Sequence, residues 1–406
     1  MKPCRRRFIQ NGLLLMLFMA GMPVFMPVPG WVQELVPAAP AGAGHTLGIL
    51  TQREPEDPFW GVVEDMMAAA CRQLGMKLRR YYAYSSQRNM IAAVDQAADD
   101  GVDVLVFPNF KEAAPEILER SRARGLPVYL FNADVNPQNR SQTGAPRERY
   151  PLWLGRMMPD DEQAGYVLAQ TLIERARALG MAPVEGGELE ITGLTGTLVE
   201  TPAFDRVDGL YRAVAGDSGV RINQVVHAFW EEPLAYAKTL RLLKRYPQTR
   251  IFWTASDHMG LGSARALRES GRVPGRDVLL GGIDWSLEGI RAVQSGRFDV
   301  SVGGHVVEGA WVAVMLHDYL QGRDFADEGL EQHSPMQAFP MQYAPAYLKR
   351  IREQDWDDID FCQFSRVLNP EVRHYAFDVR VLYLPGQTRV VPGAGGGCPG
   401  RQPSGR

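Results

Sequence analysis

The chain lacks the local signatures of the common enzyme classes. No H-E-x-x-H, G-x-S-x-G or G-x-x-x-x-G-K-[ST] occurs in it, so the sequence motifs of zinc proteases, α/β-hydrolases and P-loop nucleotide enzymes are missing; catalysis by scattered groups is not excluded on that ground. The seven histidines, at 45, 227, 258, 305, 317, 333 and 374, show no metal-ligand spacing, and neither a metal nor a cofactor is expected. There is little cysteine: Cys4, Cys71, Cys362 and Cys398 make no disulfide-dense framework. There is no surplus of one charge either. Lys and Arg number 44 against 47 Asp and Glu, a formal net charge of -3 with both signs mixed along the chain, which argues against a nucleic-acid partner. The longest early apolar run, Leu13 to Phe18, extends weakly through Met19, Ala20 and Met22 before Pro23, Pro27 and Pro29 break it. That is short of the ~20 apolar residues a membrane span needs. What is present is ordinary for a globular protein, with 45% apolar and 22% charged residues. At ~100–200 residues per domain, 406 residues predict about two domains plus ends.

Lys2, Arg5, Arg6 and Arg7 precede that apolar stretch, and Ala39-Pro40-Ala41 and Ala41-Gly42-Ala43 are A-x-A cleavage sites. Residues 1–43 therefore read as a secretory signal peptide, with an uncleaved anchor as the alternative. Arg5-Arg6-Arg7-Phe8-Ile9 also resembles the twin-arginine export motif, with Cys4 where Ser or Thr is usual; a basic n-region contains paired arginines in any case, so both the Sec and the twin-arginine routes stay open. Cys4 precedes the apolar run and is misplaced for lipidation. Cys71, among Met66, Met67, Ala70 and Leu74, reads as a small core residue. Cys362 and Cys398 are available to pair in an oxidising compartment.

From residue 46 onward strands and helices alternate. Thr46 to Leu50, Leu78 to Tyr84, Val102 to Phe107 and Pro127 to Phe131 read as strands, separated by helical spacing over Phe59–Leu74, Ile91–Ala98 and Ala113–Arg124. Asn136 to Pro151, polar and with three prolines, reads as a surface loop. The pattern then restarts. Helices are expected from Asp161 to about Leu179, from Pro202 to Ala215, from Leu234 to Tyr246 and from His258 to Ser270. Strands are expected at Glu188–Thr192, Val225–Phe229, Ile251–Thr254 and Val278–Leu280. Short buried strands alternating with helices imply parallel sheets covered on both faces, and the repeat predicts two similar α/β lobes. Residues 385–406, rich in Gly and Pro, read as a disordered tail.

Ligands of open parallel sheets bind beyond the carboxyl ends of the strands. In the first half those ends give Asp57, Phe59, Trp60, Pro108, Asn109, Asn132, Ala133 and Asp134; in the second they give Arg206, Trp230, Ser256, Asp257 and Asp284. Aromatic faces cover the C–H faces of a sugar ring, and carboxylates, amides and an arginine satisfy its hydroxyls. Each residue also has a plainer reading. Asp57 and Asp257 suit helix caps, Trp60 and Trp230 suit a core, Arg206 between Asp205 and Asp208 suits an ion-pair network, and His305 suits a satisfied core histidine.

Asp57-Pro58-Phe59-Trp60, Gly196-Thr197 with Asp205-Arg206-Val207-Asp208-Gly209, Ser256-Asp257-His258-Met259-Gly260-Leu261-Gly262 and Gly282-Ile283-Asp284 occur in that order. With them the chain, over roughly residues 45–345, resembles the periplasmic sugar-binding proteins of the ribose-binding type, the type 1 periplasmic binding proteins, and is somewhat similar to the autoinducer-2 receptor. The resemblance implies two Rossmann-like lobes with parallel sheets and helices on both faces, joined by a three-crossing hinge near Gly155, Gly304 and Ala338. Lobe one would be 45–155 plus 305–337, lobe two 156–304 plus 338–350, followed by a C-terminal extension over 351–384. Asp57, Phe59, Trp60, Asn132, Arg206, Trp230, Ser256 and Asp284 would line the cleft, and Asn109 and His305 join them as candidates from the strand ends. Pro108, Asn132-Ala133, Ser256 and Gly304 depart from the ribose-binding pattern, which argues against ribose itself. The expected function is periplasmic capture of a small carbohydrate-like ligand, by a non-enzyme acting as a monomer, for an ABC permease. A membrane sensor kinase or cyclase is the alternative partner, and a glycoside enzyme using Asp57 and Asp284 is the rival of another class. The aromatics of the extension, among them Trp356, Phe361, Phe364, Tyr375, Phe377 and Tyr383, would pack on a lobe or present a surface to a membrane sensor.

Overall fold

The computed structural model describes residues 44–181 and 187–384. The expectations for the signal peptide, the tail and the Cys362–Cys398 pairing rest on residues outside that set. The first half runs β1 (Thr46–Thr51), α1 (Trp60–Gln73), β2 (Lys77–Tyr82), α2 (Gln87–Asp99), β3 (Val104–Phe107), α3 (Ala114–Arg124), β4 (Val128–Phe131), α4 (Pro137–Thr143) and β5 (Trp153–Pro159). The second runs α5 (Asp161–Ala178), β6 (Leu189–Thr195), α6 (Thr201–Val214), β7 (Val220–His227), α7 (Glu232–Arg245), β8 (Ile251–Thr254), α8 (Asp257–Glu269), β9 (Leu279–Ile283), α9 (Leu287–Gln294) and β10 (Val300–Gly303). The chain then returns through α10 (Glu308–Leu320), β11 (Glu331–Ser334), β12 (Gln337–Ala338) and α11 (Ala344–Glu353).

The strand order is β11-β5-β4-β3-β1-β2 in one sheet and β12-β10-β9-β8-β6-β7 in the other. Each half therefore has the same topology, and every pairing is parallel except β10 with β12. β3, β4 and β8 are buried at every residue, which is why they read as unbroken apolar runs: both faces are covered by helices. Separate apolar clusters fill lobe two and one face of the lobe-one sheet. Cys71 is a free, buried thiol in the remaining cluster, which includes α1 and α10.

Three crossings connect the lobes. β5 stays in the first sheet through Pro159, so the chain leaves it after that residue rather than near Gly155. The second crossing passes Gly304, between β10 and α10, which packs on α1. The third lies between Ser334 of β11 and Gln337 of β12, just ahead of Ala338. Part of the expected 136–151 loop is helical. Pro137 occupies the first turn of α4 after Asn136, a position where its missing N–H costs nothing.

Candidate functional site

The carboxyl ends of both sheets face each other across a cavity of about 160 Å³. Lobe one contributes Asp57, Phe59, Trp60 and Asn132, lobe two contributes Arg206, Trp230, Ser256 and Asp284, and His305 enters from the second crossing. Asn109 is not among the lining residues. Its Nδ2 donates to the Asp134 carbonyl at 2.7 Å and its Oδ1 accepts from Ala114 N–H at 2.9 Å. This strand-end residue is turned inward to tie the start of α3, a correction to its expected place in the site.

Asp57 does what a helix start requires. Its Oδ1 accepts from the N–H groups of Phe59 and Trp60 at 3.0 and 2.9 Å, satisfying donors that a first turn leaves open. This fixes Phe59 and Trp60 on the cavity wall, ring edge to ring face at 5.3 Å. Phe59 lies against the imidazole of His305 at 4.9 Å. Trp60 is buried and packs edge-on against Phe131, so it serves core and cavity together. Asn132 has a left-handed backbone (φ 65°), a conformation Asn tolerates better than most residues. Its side-chain amide makes no hydrogen bond among the described residues, although its N–H donates to the Met157 carbonyl at 3.0 Å.

Arg206 is placed by close helix packing. A Cβ on Gly165 of α5 would lie 1.9 Å from the Arg206 carbonyl oxygen, so only glycine lets α6 approach this far. The guanidinium is buried. Its Nε donates to Asp161 Oδ1 at 2.6 Å, and its Nη1 donates to the Ala255 carbonyl at 2.6 Å and to Asp284 Oδ1 at 3.4 Å. The cap of α5 is the preceding residue, Asp160, whose Oδ1 accepts from Gln163 N–H. Trp230 lies 5.7 Å from the Arg206 guanidinium and donates its indole N–H to Glu200 Oε2 at 2.6 Å. A Cβ at Gly196 would fall 2.0 Å from two atoms of that ring, so the indole rests directly on the Gly196 backbone.

Ser256 caps α8, its Oγ accepting from Met259 N–H at 3.2 Å, which leaves the hydroxyl proton for another acceptor. Asp257 stands behind the site and takes hydrogen bonds from Ser286 N–H, Ser286 Oγ and Ser301 Oγ; it organises the start of α9. Burial pushes the Asp284 carboxyl well above its usual value, against the pull of Arg206 and with a push from Asp257. Burial, then Arg206, hold His305 well below 6.5, so its ring is neutral. Its Nε2 sits 3.5 Å from Arg206 Nη2, and its buried Nδ1 has no partner among the described residues.

Sequence reasoning missed Gln52, Arg53, Glu200 and Glu231, which also line the cavity. Gln52 directly follows the last residue of β1 and Glu200 directly precedes α6, so the strand-end rule reaches both. The Gln52 Oε1 is buried without a partner among the described residues. Arg53 and Glu231 meet from opposite lobes at 3.5 Å. Further contacts join the lobes beside the cavity: Asp134 N–H donates to Thr201 Oγ1 at 2.9 Å, and Asn136 Nδ2 donates to the Val199 carbonyl at 2.8 Å. Among the described residues no group of His, Cys, Asp and Glu is arranged to hold a metal, and no helix is long and apolar enough to cross a membrane.

Residues 48–324 match the model of the periplasmic binding protein domain family. Among curated proteins, the xylitol-binding protein of Mycolicibacterium smegmatis is 27% identical over 207 residues, covering 50% of this chain and 52% of that protein. The chain thus aligns with about half the length of that relative. The galactofuranose-binding protein YtfQ of Escherichia coli is 21% identical over 60% of this chain and 72% of its own length. Among solved structures, a periplasmic sugar-binding protein from Pseudomonas fluorescens superposes with a TM-score of 0.74 at 32% identity, covering 83% of this chain and 99% of that one. A protein from Mycobacterium smegmatis in complex with β-D-fucofuranose shares the fold at a TM-score of 0.63 and 21% identity, covering 77% of this chain and 96% of that one. Matched over most of its length by the family model, and built as two lobes of like topology around one cleft, the chain belongs to the periplasmic binding protein family and has the type 1 fold of its sugar-binding members.

Proposed function

We propose that this protein is an exported receptor that captures one small sugar or polyol by closing its lobes over it, and hands it to an ABC-type permease. The single observation that carries the reading is the makeup of the cavity. Phe59, Trp60 and Trp230 offer aromatic faces, and Asn132, Ser256, Asp284 and His305 offer hydrogen-bonding groups within the same 160 Å³. Aromatic surface takes the apolar face of a sugar ring, and the polar groups take its hydroxyls. Discrimination comes from the burial of those groups, since one left without its partner costs ~1–3 kcal/mol. Ligand contacts to both lobes favour the closed state, and a membrane partner reads that closure.

The arrangement suits binding better than turnover. Asp57 is occupied by two helix N–H groups and Asp284 faces Arg206, so neither is poised as a free general base. The relatives' names point to polyols and furanoses. Calorimetric titration of the purified mature chain with xylitol, L-arabinose, D-galactose, D-fucose and D-ribose tests the reading. Saturable one-to-one binding of at least one, with the sugar recovered unchanged, is expected. Turnover of a glycoside, or no binding across pentoses, hexoses and polyols, overturns it. Neighbouring genes for a permease and an ATPase support the transport partner; a neighbouring kinase or cyclase gene points to a sensor.

A further inference from the structure

The family match ends at residue 324, and among the described residues none beyond His305 lines the cavity, yet the chain after α11 is packed against the hinge. Its path touches both lobes. α11 lies on α9 of lobe two. The chain then crosses to lobe one, where Gln73 of α1 donates to the Ile359 carbonyl at 2.8 Å and accepts from Phe361 N–H at 3.0 Å. Asp318 of α10 accepts from Arg366 N–H at 2.6 Å and from the Tyr375 hydroxyl at 3.1 Å. The last described residues come back to the hinge itself. A Cβ on Gly304, in the second crossing, would lie 3.1 Å from Val379, and Gln337, at the third, donates to the Tyr383 hydroxyl at 3.0 Å. Arg350 of α11 donates to the Leu382 carbonyl at 2.7 Å and closes the loop.

This path reaches the cavity through one residue. Asp284 and Trp285 both have positive φ, 138° and 58°, backbone states that persist only where the surroundings hold them. Trp285 is fully buried against Phe339, Tyr347 and Tyr383, at ring distances of 5.0, 6.2 and 6.0 Å. The Tyr347 hydroxyl donates to its carbonyl at 2.6 Å. Trp285 and Ile290 of lobe two share one apolar cluster with α1, α10 and the extension, while the rest of lobe two has its own.

We propose that residues 344–384 form a strap across the back of the hinge that restrains lobe opening, and that Tyr347 and Tyr383 are positioning residues that hold Asp284 in the cavity through Trp285. Opening the cleft shifts the crossings at Gly304 and Gln337 under a segment anchored to lobe one, so the packed rings favour closure. The affinity part of the proposal rests on the sugar-binding reading; the hinge part does not.

Single-molecule energy transfer between dyes at positions 84 and 198 tests the strap without any sugar. Tyr84 and Leu198 are exposed and lie on opposite lobes, and dyes attached through non-canonical residues avoid the native cysteines. Tyr383→Ala is expected to move the sugar-free population to longer separations. If the closed fraction falls tenfold, the Kd for xylitol or L-arabinose rises by about the same factor. Ile117→Ala, which removes a buried side chain from the lobe-one cluster that contains no residue of the strap, is expected to lower the melting temperature without changing the separation. Should Tyr383→Ala not fold, Tyr383→Phe removes only the bond to Gln337 and is expected to shift the population less, in the same direction. Unchanged separations in the folded Tyr383 variant overturn the strap. Tyr347→Phe is expected to raise the Kd with separations unchanged, and an unaltered Kd overturns the positioning role. If the wild type binds neither probe while Tyr383→Ala still lengthens the separation, the sugar reading fails and the strap stands.

Discussion

Arg206 Nε lies 2.6 Å from Asp161 Oδ1, with both side chains buried, so this cation of the cavity wall is held by the protein before any ligand arrives. The sequence offers Arg206 both as a cleft contact and as a member of an ion-pair network, and the structure gives it both roles, with Asp161 as the partner. Removing the guanidinium strands Asp161 and leaves Asp284 without its cation, and breaking a buried pair from one side costs ~3–5 kcal/mol. Arg206→Ala is expected to lose both stability and sugar binding, read by denaturant unfolding and calorimetry. A fully stable variant would mean that Asp161 is not held this way.

The indole of Trp230 is seated by two neighbours, Gly196 beneath it and Glu200 at its N–H. Gly196→Ala forces the ring off its seat, and overpacking of this kind costs ~1–3 kcal/mol. Affinity for the tightest sugar of the panel is expected to fall about tenfold, which is ~1.4 kcal/mol. Glu200→Gln keeps an acceptor for the indole and is expected to bind more tightly than Glu200→Ala. Calorimetry, with tryptophan fluorescence reporting the ring's surroundings, checks both.

Asn109 separates a structural role from a binding one. Asn109→Ala removes two buried hydrogen bonds and is expected to destabilise the protein by ~1–3 kcal/mol, while sugar affinity is unchanged. A large affinity loss at unchanged stability would return Asn109 to the site.

Burial pushes the Asp257 carboxyl from 3.8 to about 6, outweighing the donors from Ser286 and Ser301 that favour its charged form. Between those values the folded chain keeps a proton that the unfolded chain has released. The stability from this group is complete below 3.8 and is lost as pH rises through about 6. Asp257→Asn cannot ionise, so its melting temperature is expected to fall less than the wild type's between about pH 4 and about pH 7, measured by calorimetry. Parallel curves would remove Asp257 as the source.

Much of the site was legible because it follows from local pattern. Buried strands written as apolar runs, with polar and aromatic residues just after them, select the strand ends whatever the partner lobe does. Asn109 failed because the rule names a position, not a direction: its side chain turned toward Ala114 and Asp134 instead of the cleft. α4 was read as loop because its surface residues carry no apolar period, although Asn136-Pro137 is a fair helix start. Glu200 and Glu231 were passed over beside more conspicuous aromatic and basic neighbours.

The amino-acid order alone determined two α/β halves of matching pattern, because strand and helix periodicity and burial on both sheet faces are properties of short stretches of chain. It also selected the loops that meet at the cleft. Which side chains face the cavity, where the chain crosses between lobes, and how residues 344–384 pack on both lobes were decided only by the tertiary structure. Those features depend on contacts between residues far apart in the chain, such as Arg53 with Glu231 and Trp285 with Tyr383, and such contacts exist only once both lobes and the crossings between them are in place.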